Sequence, residues 1–284
     1  MRSEKEVMNQ LLTYAENNDM VRAVLLNGSR VNPNVKNDIF SDYDVKFAVT
    51  DSGYFLNNLE WIQYFGELII MQQNTLLHND EEWYIFLMIF SDGVRIDLSF
   101  INAESIDHFL DDSLTVKLLD KDNLIRDLEP PNDRSYYIEK PTKKEFEKTV
   151  NEIWWVSTNV AKGLWRKELP YAKYMLDVYI RDCLIKMLEW HIGMNHNWSI
   201  NSGKVGRWFE KLLPAELWES YKRTYAGSNY EEIWDSLMEA GSLTRVLGIE
   251  IASQLGYEYP IRDEERVVKY LKRIRELPND AISQ

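Results

Sequence analysis

The chain is 284 residues long, 45% hydrophobic and 13% aromatic, enough to bury one large core or two ordinary ones. Its formal net charge is −13, and the imbalance sits in the first half: residues 1–140 hold 12 Lys and Arg against 25 Asp and Glu, residues 141–284 hold 21 against 21. That acidity disfavours a nucleic-acid ligand, which asks for a basic stripe, and suits a divalent metal or a cationic small molecule. No run of about 18 apolar residues occurs. The opening MRSEKEVMNQLL is charged from its second residue, so the expectation is a cytoplasmic protein with no membrane span and no signal peptide. The single cysteine, Cys183, lies in the apolar stretch YIRDCLIKML and reads as a buried thiol.

Ser3 with Glu6 forms a capping-box start for a first helix that Asn17-Asn18-Asp19 ends. VRAVLL, stopping at Asn27-Gly28, reads as a strand running into a turn, and DYDVKFAV (42–49) as a strand with one face in the core. Residues 65–72 are a further strand candidate. EEWYIFLMIF and VRIDLSFI are joined through Ser91-Asp92-Gly93, a hairpin signal. Ser105 is placed as the cap of a short helix and TVKLLD as a last strand. The first part is therefore α+β.

Pro130-Pro131-Asn132-Asp133 interrupts this pattern, and Thr142 with Glu145 makes a second capping box. The domain boundary is expected there, giving domains 1–138 and 139–284. Segments 143–162, 171–192, 206–223, 230–256 and 263–277 carry apolar residues at helical spacing, so the second domain is expected to be an all-helical bundle.

Chemistry concentrates in LLNGSRVNPNVKNDIFSDYD. Side chains alternate along a strand, so Asp42 and Asp44 project together while Tyr43 and Val45 face the core. Two carboxylates on one face repel, and a pair of Mg²⁺ ions shared with substrate phosphates is the usual compensation. Gly28-Ser29 allows backbone N–H groups to approach an anion closely, and a triphosphate would fit between the two features. A third carboxylate is expected on a neighbouring strand. In RIDLSF, Arg95, Asp97 and Ser99 share a face, and Asp97 fills that place. The bland alternative is a plain turn followed by solvated strand residues.

The series Leu26-Asn27-Gly28-Ser29, twelve intervening residues, Asp42-Tyr43-Asp44, then Asp97 after a hairpin resembles the nucleotidyltransferase superfamily typified by DNA polymerase β. Over nearly its full length, through NGSR, FSDYDVKFAVTD, RIDLSF and LGYEYP, the chain resembles the bacterial aminoglycoside 6-adenylyltransferases, or streptomycin adenylyltransferases. The resemblance implies a nucleotidyltransferase domain of mixed sheet and flanking helices, then a helical domain. It also implies Mg²⁺-dependent transfer of AMP from ATP to a hydroxyl of streptomycin. Asp42 and Asp44 are then assigned to the metals and Gly28 and Ser29 to the β- and γ-phosphates. Asp97 is either a further metal ligand or the base for the hydroxyl proton. Arg30 is a candidate for the triphosphate or a surface loop residue.

In the second half, Asn201-Ser202-Gly203-Lys204-Val205-Gly206-Arg207 is either a basic loop whose Lys204 reaches the triphosphate or a helix-entry turn. It is not a Walker A, because Trp198 stands where the first glycine is needed. Two polar stripes, Lys173/Asp177/Arg181 and Asp182/Lys186/Glu189, mark an otherwise apolar helix. They are intrahelical ion pairs, or one of them offers carboxylates to guanidinium groups of the substrate. Asp182, Glu145, Trp154 and Trp155 are the candidates for the substrate wall. The expected partners are ATP and a cationic aminoglycoside, with no nucleic acid and no membrane, and the expected state is a monomer or weak homodimer. A nucleotidyltransferase with a protein or RNA acceptor and a non-catalytic relative are the alternatives.

Overall fold

The structure is a computed structural model and describes residues 1–78, 81–278 and 281. Two compact units divide between Ser135 and Tyr136, three residues ahead of the expected boundary. Ile138 packs in the second core and its N–H donates to the carbonyl of Ile200, which carries the connecting residues into the helical unit.

In the first unit, α1 (Glu4–Asn17) starts on the capping box of Ser3 and Glu6, both halves of which are formed. Strands β1 (Val21–Asn27) and β2 (Tyr43–Val49) follow, then the short helices α2 (Ser52–Asn57) and α3 (Ile62–Phe65). Next come β3 (Leu68–His78), β4 (Glu81–Phe90), β5 (Arg95–Asn102) and β6 (Thr115–Asp120). They form one mixed sheet in the order β3-β4-β5-β2-β1-β6, with β2 and β5 parallel and the other pairs antiparallel.

The period-two pattern decides what each face does. Val45, Phe47, Ile96, Leu98 and Phe100 pack with Val7 and Leu11 of α1 and with Phe55, Trp61 and Phe65. The opposite face carries Ala48 and Ile101 in a smaller cluster with Ile106, Leu110 and Ile125. Asp44, Lys46, Asp97 and Ser99 alternate with the first set and therefore belong to this less covered face.

Two expectations shift. The strand expected over 65–72 begins three residues later, because Phe65 closes α3 and Gly66, at φ +133, turns the chain; the strand then continues to His78. Ser105 is not the cap of its short helix: it sits inside the 3-10 stretch Ala103–Phe109 and its hydroxyl donates to the carboxylate of Glu81.

The second unit is helical: α4 (Lys143–Trp165), α5 (Leu169–Tyr174), α6 (Arg181–Asn195), α7 (Phe209–Leu212), α8 (Ala215–Arg223), α9 (Tyr230–Leu255) and α10 (Ile261–Glu276). The helix expected over 206–223 is broken, because Pro214 cannot continue α7 and instead opens α8. Between α5 and α6 the chain stays helical but widens to a π-helical turn over Met175–Ile180. Phe146, Ile153, Trp154, Leu184, Leu188, Leu237 and Leu247 are among the buried residues of its core. Burial pushes the Cys183 thiol up to about 11, so it is an inert core group. Among the described residues no helix is long and apolar enough to cross a membrane.

Candidate active site

β2 and β5 run parallel with Asp44 opposite Asp97. Asp42 lies one residue before β2 rather than inside it, so it joins the pair from the strand's entrance. Burial, then the charges of Asp97 and Asp42, raise the Asp44 carboxyl from its ordinary range to about 6. The like-charge repulsion read from the sequence is thus present in the fold.

Arg95 supplies the cation. Its Nε and Nη2 donate to the two oxygens of Asp97 at 2.8 and 2.7 Å, and Nη1 lies 3.4 Å from Asp42. Lys46, two residues beyond Asp44 on the same face, donates to Asn27 at 2.8 Å, and burial lowers its pKa. Asn27 in turn donates to Thr115 at 2.6 Å. Neither Arg95 nor Lys46 stood out as a site residue in the sequence, although each follows from the same two-residue step that paired the aspartates: D-Y-D-V-K and R-I-D.

Gly28 opens the turn after β1 at φ +76. A Cβ there would lie 2.2 Å from Oδ2 of Asp44, so only glycine lets the carboxylate rest against the turn. The Gly28 N–H is already committed to the carbonyl of Leu114 at 3.2 Å. Gly28 therefore makes room for Asp44 instead of donating to an anion, and the turn's polar tip is Ser29.

Arg30 is not a surface residue. Its side chain is 6% exposed and stacks on Tyr43 at 3.5 Å. It donates to the carbonyls of Asp42 and Ser41 at 3.0 and 2.6 Å, with Glu4 at 3.1 Å. With its donors spent in this way, Arg30 fixes the segment that delivers Asp42. A cleft opens beside that segment, lined by Phe40, Asp42, Ile89, Val94 and Arg95.

Carboxylate oxygens are hard donors of the kind a Mg²⁺ ion takes, so the aspartates fit such an ion in kind. In the arrangement described, Arg95 occupies Asp97, and among the described residues no group of three His, Cys, Asp or Glu side chains is set to hold a metal.

The candidates from the second half fall into the helical unit and separate by burial. Asp182 and Lys204 are exposed, and Trp155 is 67% exposed. Trp154 is a core residue, 3% exposed, whose indole N–H donates to Tyr259 at 3.2 Å. Glu145 spends Oε2 on the N–H and hydroxyl of Thr142 at 2.8 and 2.7 Å. Trp154 is buried by packing and presents no face to a ligand, whereas Glu145 is exposed and its cap occupies one of its two oxygens. Asp177 pairs with Lys173 at 2.8 Å and lies 3.7 Å from Arg181, which is the ion-pair alternative for that stripe.

A mixed sheet that brings three aspartates together beside a Gly-Ser turn, followed by a helical unit, defines a nucleotidyltransferase. The streptomycin adenylyltransferase family matches residues 1–274. Curated proteins named aminoglycoside 6-adenylyltransferase from Campylobacter jejuni and Bacillus subtilis (strain 168) are each 38% identical, over 93% of both chains in the first case and 96% of this chain and 98% of the relative in the second. A third of that name, from Staphylococcus aureus, is 34% identical over 92% of this chain and 94% of its own. The chain belongs to the streptomycin adenylyltransferase family.

Proposed function

We propose that this enzyme transfers AMP from ATP to a hydroxyl of streptomycin, at the 6-position named for its relatives, releasing pyrophosphate and conferring resistance on a cell that makes it. The observation that carries the reading is the register of Asp44 against Asp97, with Asp42 at the strand entrance. A divalent cation such as Mg²⁺, held by Asp42, Asp44 and Asp97, would neutralise charge on the transferring phosphoryl group and on pyrophosphate.

The chain's own residues then have distinct tasks. Ser29 offers its hydroxyl and N–H to the β- and γ-phosphates, while Gly28 keeps Asp44 in place behind it. Arg95 is 40% exposed, so its guanidinium can turn toward the phosphates without disturbing the strand. Asp97, on the floor of the sheet, holds the cation or takes the proton of the attacking hydroxyl. The acidic first half, with 25 Asp and Glu against 12 Lys and Arg, attracts a cationic acceptor and repels RNA. Within the helical unit, the exposed Asp182 and Trp155 suit a guanidinium-bearing drug, as a carboxylate and an aromatic face.

Incubating the purified protein with ATP, Mg²⁺ and a panel of aminoglycosides tests this. Mass spectrometry should find one AMP adduct on streptomycin and poor labelling of drugs without guanidinium groups. An adduct on a protein or RNA, with none on any antibiotic, would replace this reading with the other acceptor class.

A further inference from the structure

The two edges of the sheet are unlike. β6 is six residues long and carries the exposed Lys117, a charge of the kind that keeps an edge from pairing with another chain. β3 is eleven residues long, reads LIIMQQNTLLH, and contains no Asp, Glu, Lys, Arg or Pro. It is hydrogen-bonded to β4 on one side. Ile69, Ile70, Leu76 and Leu77 on it are 63%, 61%, 40% and 67% exposed. The strand itself brings no like charges to a pairing, and the net charge of −13 resides elsewhere in the half of the chain that holds it.

The residues of β3 are also arranged symmetrically. A two-fold axis normal to the sheet keeps side chains on their own face, so paired residues must differ by an even number. With the axis at Gln73, Ile70 stands opposite Leu76 of the second copy, Met71 opposite Thr75 and Gln72 opposite Asn74, while Ile69 falls opposite Leu77. Moving the axis by one residue either way sets Ile70 against Asn74 or His78 and loses this match. The strand is regular against β4 from Ile70 onward, with its bulge between Leu68 and Ile70, so the seven positions 70–76 carry the pairing.

We propose that β3 is a self-association edge: two copies pair antiparallel about Gln73 and join their sheets into one. The occupant is a second copy of this chain, because the apolar positions of the strand complement themselves. Seven paired positions a side fall short of the roughly 800 Å² per partner of a stable interface, so the dimer is concentration-dependent. Since the net charge of −13 lies in the half of the chain that holds β3, added salt should tighten it.

Sedimentation of the full chain from about 1 to about 100 µM should show a shift toward twice the monomer mass, and Ile70→Lys or Leu76→Lys should abolish it without changing AMP transfer. A register test uses Gln73→Cys, whose thiol meets its own copy at the axis. Cys183 is buried and does not compete. Oxidation should link Gln73→Cys but not Ile70→Cys, whose copies sit about 20 Å apart, beyond disulfide reach. A chain monomeric at every concentration, its edge left to a different protein, overturns the proposal. So does a dimer that survives both lysine variants, or one in which Ile70→Cys links as readily as Gln73→Cys.

Discussion

Gly28 and Asp44 are in contact across β1 and β2, with the carboxylate occupying the space a Cβ at position 28 would need, 2.2 Å from Oδ2. Gly28→Ala is therefore expected to do two things. The φ of +76 costs a non-glycine residue about 1–2 kcal/mol, and the methyl group displaces Asp44. Denaturant unfolding should show the first, and AMP transfer should fall by roughly 100-fold or more because a shift of about 1 Å suffices for that. Near-normal turnover in Gly28→Ala would separate Asp44 from the reaction.

Asp44→Asn should stabilise the metal-free protein at pH 7–8 and lose that advantage near pH 4. The sign follows from a folded pKa raised to about 6: the wild-type fold is favoured while Asp44 is protonated, and this contribution is lost as pH rises through 6. The variant keeps no charge to lose. The difference should reach about 2 kcal/mol above pH 7, while AMP transfer disappears. Melting curves of both proteins across pH, without divalent ions, would read the crossover, and a variant less stable than wild type at pH 8 would contradict the cause given for the shift.

Arg95 is the cation of the metal-free cluster, so Arg95→Gln should weaken the fold by about 2 kcal/mol, since Asp97 is left buried without its partner. Mg²⁺ should then raise the melting temperature more in the variant than in wild type, because the aspartates no longer share themselves with a guanidinium. Equal Mg²⁺ shifts in the two proteins would show that Arg95 and the ion do not compete.

Arg30→Lys should behave like Arg30→Ala. A lysine cannot reproduce two carbonyl contacts, an ion pair and a stack on Tyr43 from one planar group. Both variants should lose about 2–3 kcal/mol, and amide exchange should rise over residues 38–42. Stability near wild type together with a raised KM for ATP would return Arg30 to the phosphates.

Asp97→Asn should bind ATP and transfer AMP poorly, since the contacts at Ser29 remain while the reacting end is impaired. Single-turnover rates against pH and Mn²⁺ would separate its two roles. Partial rescue by excess metal marks a ligand, and a rate limited by protonation marks a base.

Features set by a few neighbouring residues were legible in the sequence. Both capping boxes form, because each needs only a hydroxyl and a carboxylate three residues apart. The side-chain alternation of RIDLSF holds for the same reason, with Ile96, Leu98 and Phe100 in one core and Arg95 bonded to Asp97 on the other face. Exact pairing between distant segments was not. Asp97 was expected on a strand beside Asp42 and Asp44, as it is, but nothing local gives the register that sets it opposite Asp44, which is fixed by the cores on the two faces of the sheet. Trp154 and Trp155 are adjacent and alike in composition, yet one is 3% and the other 67% exposed, because only the first lies on the face of α4 that packs in the bundle. Arg30 read as a triphosphate contact or a surface loop residue because its acceptors at Ser41 and Asp42 and its aromatic neighbour Tyr43 come together only when β1 and β2 pair. Local geometry is written in short spacings, whereas side-chain partnership depends on which segments burial brings together.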